Sequence, residues 1–110
     1  SLVITKNQYK KSSINANETI VIPLEESGII DFNSIEPGPE GRVFKPCTLI
    51  IGEEEVHTKV SFSIPKRRSD LSRENRIWPY GLKKLVKPET ELFFRSTKSM
   101  LFIADSLDKL

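Results

Sequence analysis

A chain of 110 residues is long enough for one compact domain with one core and too short for two. Its 37% hydrophobic content, with seven prolines and five glycines, excludes a disordered chain and suits strands and turns, and no apolar run approaches the length of a bilayer span. With 17 basic and 15 acidic residues the net charge is only +2, so affinity for a polyanion has to come from where the charges sit rather than from their sum.

In chain order, Leu2 to Thr5 forms a first strand, preceded by a start too short and too polar for a secretory signal and lacking Met, as expected of a single domain (residues 1–110) excised from a longer protein. A polar arm runs from Lys6 to Glu18. Thr19 to Ile22 is a second strand, closed by Pro23, whose missing donor ends the ladder. Leu24 to Gly28 is a helical turn or a loop, and Ile29, Ile30 and Phe32 are a short strand or the end of that turn. Asn33 to Gly41, with Pro37-Gly38-Pro39, is a loop. Arg42 to Lys45 leads past Pro46 into Thr48 to Ile51, and Gly52-Glu53 turns the chain. The strongest alternation follows: Val56, Thr58, Val60, Phe62 and Ile64 on one side, His57, Lys59, Ser61 and Ser63 on the other, a half-buried strand. Arg76 to Tyr80 is another strand. Leu82, Leu85 and Val86 at helical spacing predict a short helix stopped by Pro88, with Lys83, Lys84 and Lys87 opposite. Glu91 to Phe94 and Met100 to Ile103 close the domain as a hairpin through Arg95 to Lys98. About seven strands with one or two short helices predict a mainly β barrel or sandwich, because closure removes exposed edges.

Between Pro65 and Ile77 this pattern is interrupted by Lys66-Arg67-Arg68-Ser69-Asp70-Leu71-Ser72-Arg73-Glu74-Asn75-Arg76, five cations against two anions with no glycine turn signal. A simple hairpin does not need such a segment. Arginine with Ser, Asn and Glu supplies groups that hold phosphates and hydrogen-bond base edges. Acidic residues gather elsewhere, at Glu25, Glu26, Asp31, Glu36, Glu40 and Glu53-Glu54-Glu55, so a basic face opposite an acidic one is expected.

Taken together, the residues resemble a known family. Thr19-Ile20-Val21-Ile22-Pro23 with Phe32 downstream is similar to the leucine-valine-isoleucine-proline strand and following helix of the B3-type DNA-binding pseudobarrel. The last third resembles it again, in the same order: a strand and basic arm, Arg76-Ile77-Trp78-Pro79-Tyr80-Gly81, the helix Leu82 to Lys87, then Leu92-Phe93-Phe94-Arg95 and Leu101-Phe102-Ile103. The late helix lacks the plant Gly-Trp pair, and Pro88-Glu89-Thr90 replaces the Gly-Asp turn. With the Arg-rich arm running into Glu74-Asn75-Arg76-Ile77, the likeness is to the bacterial restriction-endonuclease versions. The resemblance implies a seven-stranded open pseudobarrel with one or two short helices, whose two arms grip the major groove. It also implies that the chain is a non-catalytic recognition domain beside a nuclease domain in the same polypeptide, in a bacterial cytoplasm.

Carried over by position, the first arm is Gln8, Tyr9, Lys10, Lys11, Ser12, Ser13, Ile14, Asn15, Ala16 and Asn17, and the second is Lys66 to Arg76. Arg pairs with guanine, Asn or Gln with adenine, and Glu or Asp accepts from cytosine. Arg68, Arg73, Arg76, Asn75, Glu74, Asp70, Gln8 and Asn15 are therefore the expected base readers, with Lys10, Lys11, Lys66 and Ser12 on phosphates. Arg67, Ser69 and Ser72 complete the second arm.

Plainer roles stand beside these. The α-helical lysines face solvent, Trp78, Tyr80 and the phenylalanines are core, and Glu53 to Glu55 are a solvated tip. Cys47 is a small buried apolar group; as the single cysteine it excludes an internal disulfide and indicates a reducing compartment. His57 is exposed. No cofactor, metal or catalytic residue is assigned. Two other classes stay open: a protein-interaction module using the exposed arm, and a metal-dependent nuclease built from Glu53, Glu55 and Lys59.

Overall fold

The computed structural model describes residues 2–13, 20–23, 41–64 and 76–110 of the chain. Its elements are β1 (Leu2–Val3), α1 (Lys6–Ser13), β2 (Ile22–Pro23), β3 (Gly41–Ile51), β4 (Glu54–Ile64), β5 (Arg76–Pro79), α2 (Leu82–Leu85), β6 (Glu91–Ser96), β7 (Leu101–Ala104) and a closing 3-10 turn, Leu107–Lys109. The seven strands form one sheet in the order β1-β6-β7-β3-β4-β5-β2. Among the described strand pairs only β3–β7 is parallel, and the sheet curls into a half-barrel, the expected mainly β open pseudobarrel with short helices. The expected strand or turn at Leu24 to Phe32 and the loop from Asn33 to Glu40 lie outside the described residues. No described helix is long and apolar enough to cross a membrane.

The spine is the β3–β4 hairpin, eleven residues a side and in register from Gly41↔Ile64 to Ile51↔Glu54. Gly52 takes φ +60° at the first of the two turn positions, where a II′ hairpin turn places glycine. Pro46 does not break β3. The carbonyl of its partner Lys59 accepts from the Tyr80 N–H (3.1 Å), so Lys59 points its backbone groups at β5 and the pair is a non-hydrogen-bonded one. The donor that Pro46 lacks would face away from β4, where β7 has not begun, since its pairing starts at Cys47↔Leu101. Across that splayed edge the Lys45 ammonium donates to Ser96 Oγ (2.9 Å) and the Thr97 carbonyl (2.7 Å), and burial lowers its pKa. Pro23 is the last residue of β2, an edge strand that needs no donor on its open side, while Ile20 and Val21, expected in the strand, precede it.

The core is aliphatic: Ile4, Ile22, Leu49, Val60, Ile77 and Leu101 are fully buried together with Leu82, Leu92 and Ile103. Cys47 lies among them as expected, and burial pushes its thiol up to about 12. The aromatics depart from expectation. Among those described only Phe62 is buried; Trp78 and Tyr80 are half-buried on the other face, and Phe44 is 49% exposed. Ser61, placed on the polar side by alternation, is fully buried because Trp78 stands opposite it across the β4–β5 ladder, and the Tyr80 hydroxyl lies 3.5 Å from its Oγ.

At the far turn, Asp105 ties the C-terminus to the β3–β4 hairpin. Its Oδ2 accepts from the Gly52 N–H (2.9 Å), while the Lys109 ammonium donates to its Oδ1 and to the Gly52 carbonyl (2.7 Å). The hydrogen bond from Lys109 holds the Asp105 carboxyl below the usual 3.8. A carboxylate whose folded pKa is depressed stabilises the fold above its unfolded pKa, and that contribution is lost as pH falls through the folded value. Asp105→Asn is therefore expected to be less stable than the parent at pH 7 by a few tenths to about 1 kcal/mol. The gap closes below about pH 4. Urea midpoints of the two proteins at pH 7 and pH 2.5 check this; a gap that does not change contradicts it.

Candidate nucleic-acid interface

The strand directions fix where each expected arm is rooted. β3 runs from the end where Gly41 faces Ile64 to the end where Ile51 faces Glu54, and β4 returns. β5 then runs parallel in direction to β3, pairing Phe62↔Ile77 and Val60↔Pro79, and β2 runs against β5 with Pro23 opposite Arg76. The chain thus leaves β4 at Ile64 and re-enters β5 at Arg76 at one sheet end, while the acidic tip Glu53-Glu54-Glu55 occupies the other end of the same hairpin, exposed as expected. The second-arm residues Lys66, Arg67, Arg68, Ser69, Asp70, Ser72, Arg73, Glu74 and Asn75 lie outside the described residues. Arg76 is described as the first residue of β5.

The first arm differs from expectation: its first half is the helix α1. The reason is local. Thr5 and Gln8 form a reciprocal cap, in which Thr5 Oγ1 accepts from the Gln8 N–H (3.1 Å) and Gln8 Oε1 accepts from the Thr5 N–H (2.9 Å). A cap of this kind contributes about 1 kcal/mol. Tyr9, one turn on, packs against the core, and the Lys83 ammonium of α2 sits 5.3 Å from its ring centroid. Lys6 lies 3.8 Å from Glu89 on the surface, a weak pair at that exposure. Gln8 and Tyr9 therefore hold α1 in place, and Lys10, Lys11, Ser12 and Ser13 form the rest of the helix. Asn15 and Asn17 lie outside the described residues.

The contact of Lys83 with the Tyr9 ring brings α1 beside α2, which follows β5 at the end opposite Arg76. α2 itself begins after Gly81, which takes φ +83° as its cap, and stops at Val86 in extended backbone, two residues before Pro88. Glu89 then takes φ +71°, unusual for a residue with a side chain, in the turn where its N–H and the Thr90 carbonyl bond the backbone of Ile4.

The residues of the alternative catalytic assignment are also placed. Glu55 Oε2 is 3.8 Å from His57 Nε2, and His57 Nδ1 is 3.2 Å from Thr48 Oγ1, with His57 exposed as expected. Glu53, Glu55 and Lys59, the residues of that assignment, are all exposed. Among the described residues no three His, Cys, Asp or Glu side chains gather as they would around a metal ion.

Sequence reasoning missed the surface cluster on the outer face of β3–β4–β5. There the Lys59 ammonium lies 4.6 Å from the Phe44 ring centroid and 5.4 Å from that of Tyr80, and the two rings are 6.4 Å apart. The readable signal was parity: Phe44 lies two residues before Pro46, the partner of Lys59, on the side of β3 that alternation turns away from Cys47 and Leu49. No protein-family model matches this chain, and neither a curated protein nor a solved structure matches it.

Proposed function

We propose that the chain is a sequence-specific recognition domain for double-stranded DNA, cytoplasmic in a bacterium, belonging to a restriction endonuclease whose cleavage chemistry lies on another domain. The observation that carries the proposal is the placement of two basic segments at the two ends of β5. The Arg-rich segment enters β5 at Arg76; α1, which includes Lys10 and Lys11, meets α2 through Tyr9 and Lys83, and α2 follows β5 just past Pro79. Four strand residues span roughly 13 Å at the usual rise. The major groove is about 12 Å wide. β5, which separates the entry point of the Arg-rich segment from α2, is thus about as long as one groove is wide, which supports a reading with one arm on each side of the groove.

The division of labour follows from chemistry. Lys10, Lys11 and Lys66 neutralise phosphates, and Arg68, Arg73, Arg76, Asn75, Glu74 and Asp70 face base edges. The α1 end contributes grip more than reading, since Gln8 is engaged in the cap. A duplex-binding assay across salt concentrations tests the proposal. The expected logarithmic slope is about −0.9 for each phosphate neutralised. A protein-interaction module would instead leave a mixed duplex unshifted at every salt concentration, and that outcome removes the proposal.

A further inference from the structure

We infer that the outer face formed by Phe44, Lys59 and Tyr80 is a stacking platform for an unpaired nucleobase of a single DNA strand, with Lys59 meeting the adjoining phosphate. This inference stands apart from the duplex grip, which uses the segments at the two ends of β5.

Three features of this patch converge. Phe44 keeps 49% of its surface in water on a strand whose other face is core, and it is joined by Tyr80 at 6.4 Å with the ring planes tilted by 32°. Tyr80 is held firmly: its N–H donates to the Lys59 carbonyl (3.1 Å), its carbonyl accepts from Thr58 Oγ1 (3.1 Å), and its hydroxyl reaches Ser61. Lys59 stands over both rings and makes no ion pair with any described residue.

Such a patch offers ring faces capped by a cation that no described carboxylate neutralises; a base takes the place of the ammonium over the rings, and the ammonium moves to the adjoining phosphate. The complementary ligand carries a flat ring and a negative charge next to it, and a nucleotide in a single strand has both. Successive bases stack on aromatic side chains whatever their sequence, while cations follow the backbone. An acidic peptide satisfies the ammonium and leaves the rings uncovered. In a duplex the base faces are already stacked on their neighbours, so this patch selects unpaired strands.

The test uses the whole chain and a fluorescein-labelled 15-residue oligothymidylate, read by anisotropy. The parent is expected to bind, and Phe44→Ala to bind roughly five- to a hundredfold more weakly. Phe44→Trp restores the affinity, and Lys59→Gln weakens binding while flattening its salt dependence. Thermal melts confirm that each variant is folded; if Phe44→Ala is not, Phe44→Leu, which keeps apolar bulk without a π-face, takes its place. Thymidine monophosphate, which carries the same ring and charge, is expected to compete, and oligoglutamate is not. The inference is overturned if the parent ignores the oligonucleotide, if Phe44→Ala or Phe44→Leu binds as tightly as the parent, or if oligoglutamate displaces the strand as well as unlabelled oligothymidylate does. Equal losses for duplex and single strand in Phe44→Ala overturn it too, and assign the patch to the duplex site. Failure of the duplex proposal has a different signature: oligothymidylate binding sensitive to Phe44, with no duplex binding in the parent.

Discussion

Replacing Lys66, Arg67, Arg68, Arg73 and Arg76 together by alanine is expected to weaken duplex binding at 100 mM salt by at least about a hundredfold, and to flatten its salt dependence by about one to two in logarithmic slope, for Lys66 and Arg67 on phosphates. The substitution takes the formal net charge from +2 to −3, yet the size of the effect rests on position more than on this sum. Four of the five cations belong to the connection between the adjacent antiparallel strands β4 and β5, and Arg76 opens β5. Single substitutions divide the effect. An arginine that reads a base costs on the order of 1 to 3 kcal/mol and relaxes selectivity at one base pair, whereas one on a phosphate weakens all sequences alike. Anisotropy titrations of the folded variants measure both. Affinity within threefold of the parent contradicts the assignment of this segment.

The largest loss of stability is expected for Ile77→Ala, at about 2 to 5 kcal/mol. Ile77 is fully buried at the centre of β5, opposite Phe62 of β4 on one side and Ile22 of β2 on the other. Truncation removes packing from the strand that, among the described residues, ties β2 to the sheet. For a domain of this size total stability is about 5 to 15 kcal/mol, so the melting temperature falls by roughly 10 °C or more. Scanning calorimetry checks the value, and an unchanged melting temperature contradicts the packing described for β5.

The sheet was largely readable in the sequence because its strands alternate and are rich in β-branched residues: the β4 pattern, the Gly52-Glu53 turn, the short helix at Leu82 and the closing hairpin all correspond to observed elements. What failed did so for physical reasons. α1 carries Tyr9 as its one apolar anchor, too little for a helical period, and its signal was the Thr5-Lys6-Asn7-Gln8 capping box. The aromatics were assigned to the core by size, but isoleucine, leucine and valine fill the concave face, which leaves Phe44, Trp78 and Tyr80 on the convex one. Alternation alone does not report that Ser61 is covered by neighbours across the ladder. For the candidate site, composition marked the Arg-rich segment, while strand direction, which no local pattern encodes, was needed to root it opposite α1 along β5.

Selection of bound duplexes from a random pool, carried through several rounds with the whole chain, bears most directly on the account. Enrichment of one short motif, lost when the cations between Lys66 and Arg76 are replaced, is the result expected. A pool that stays random, or the same motif with and without those cations, contradicts it.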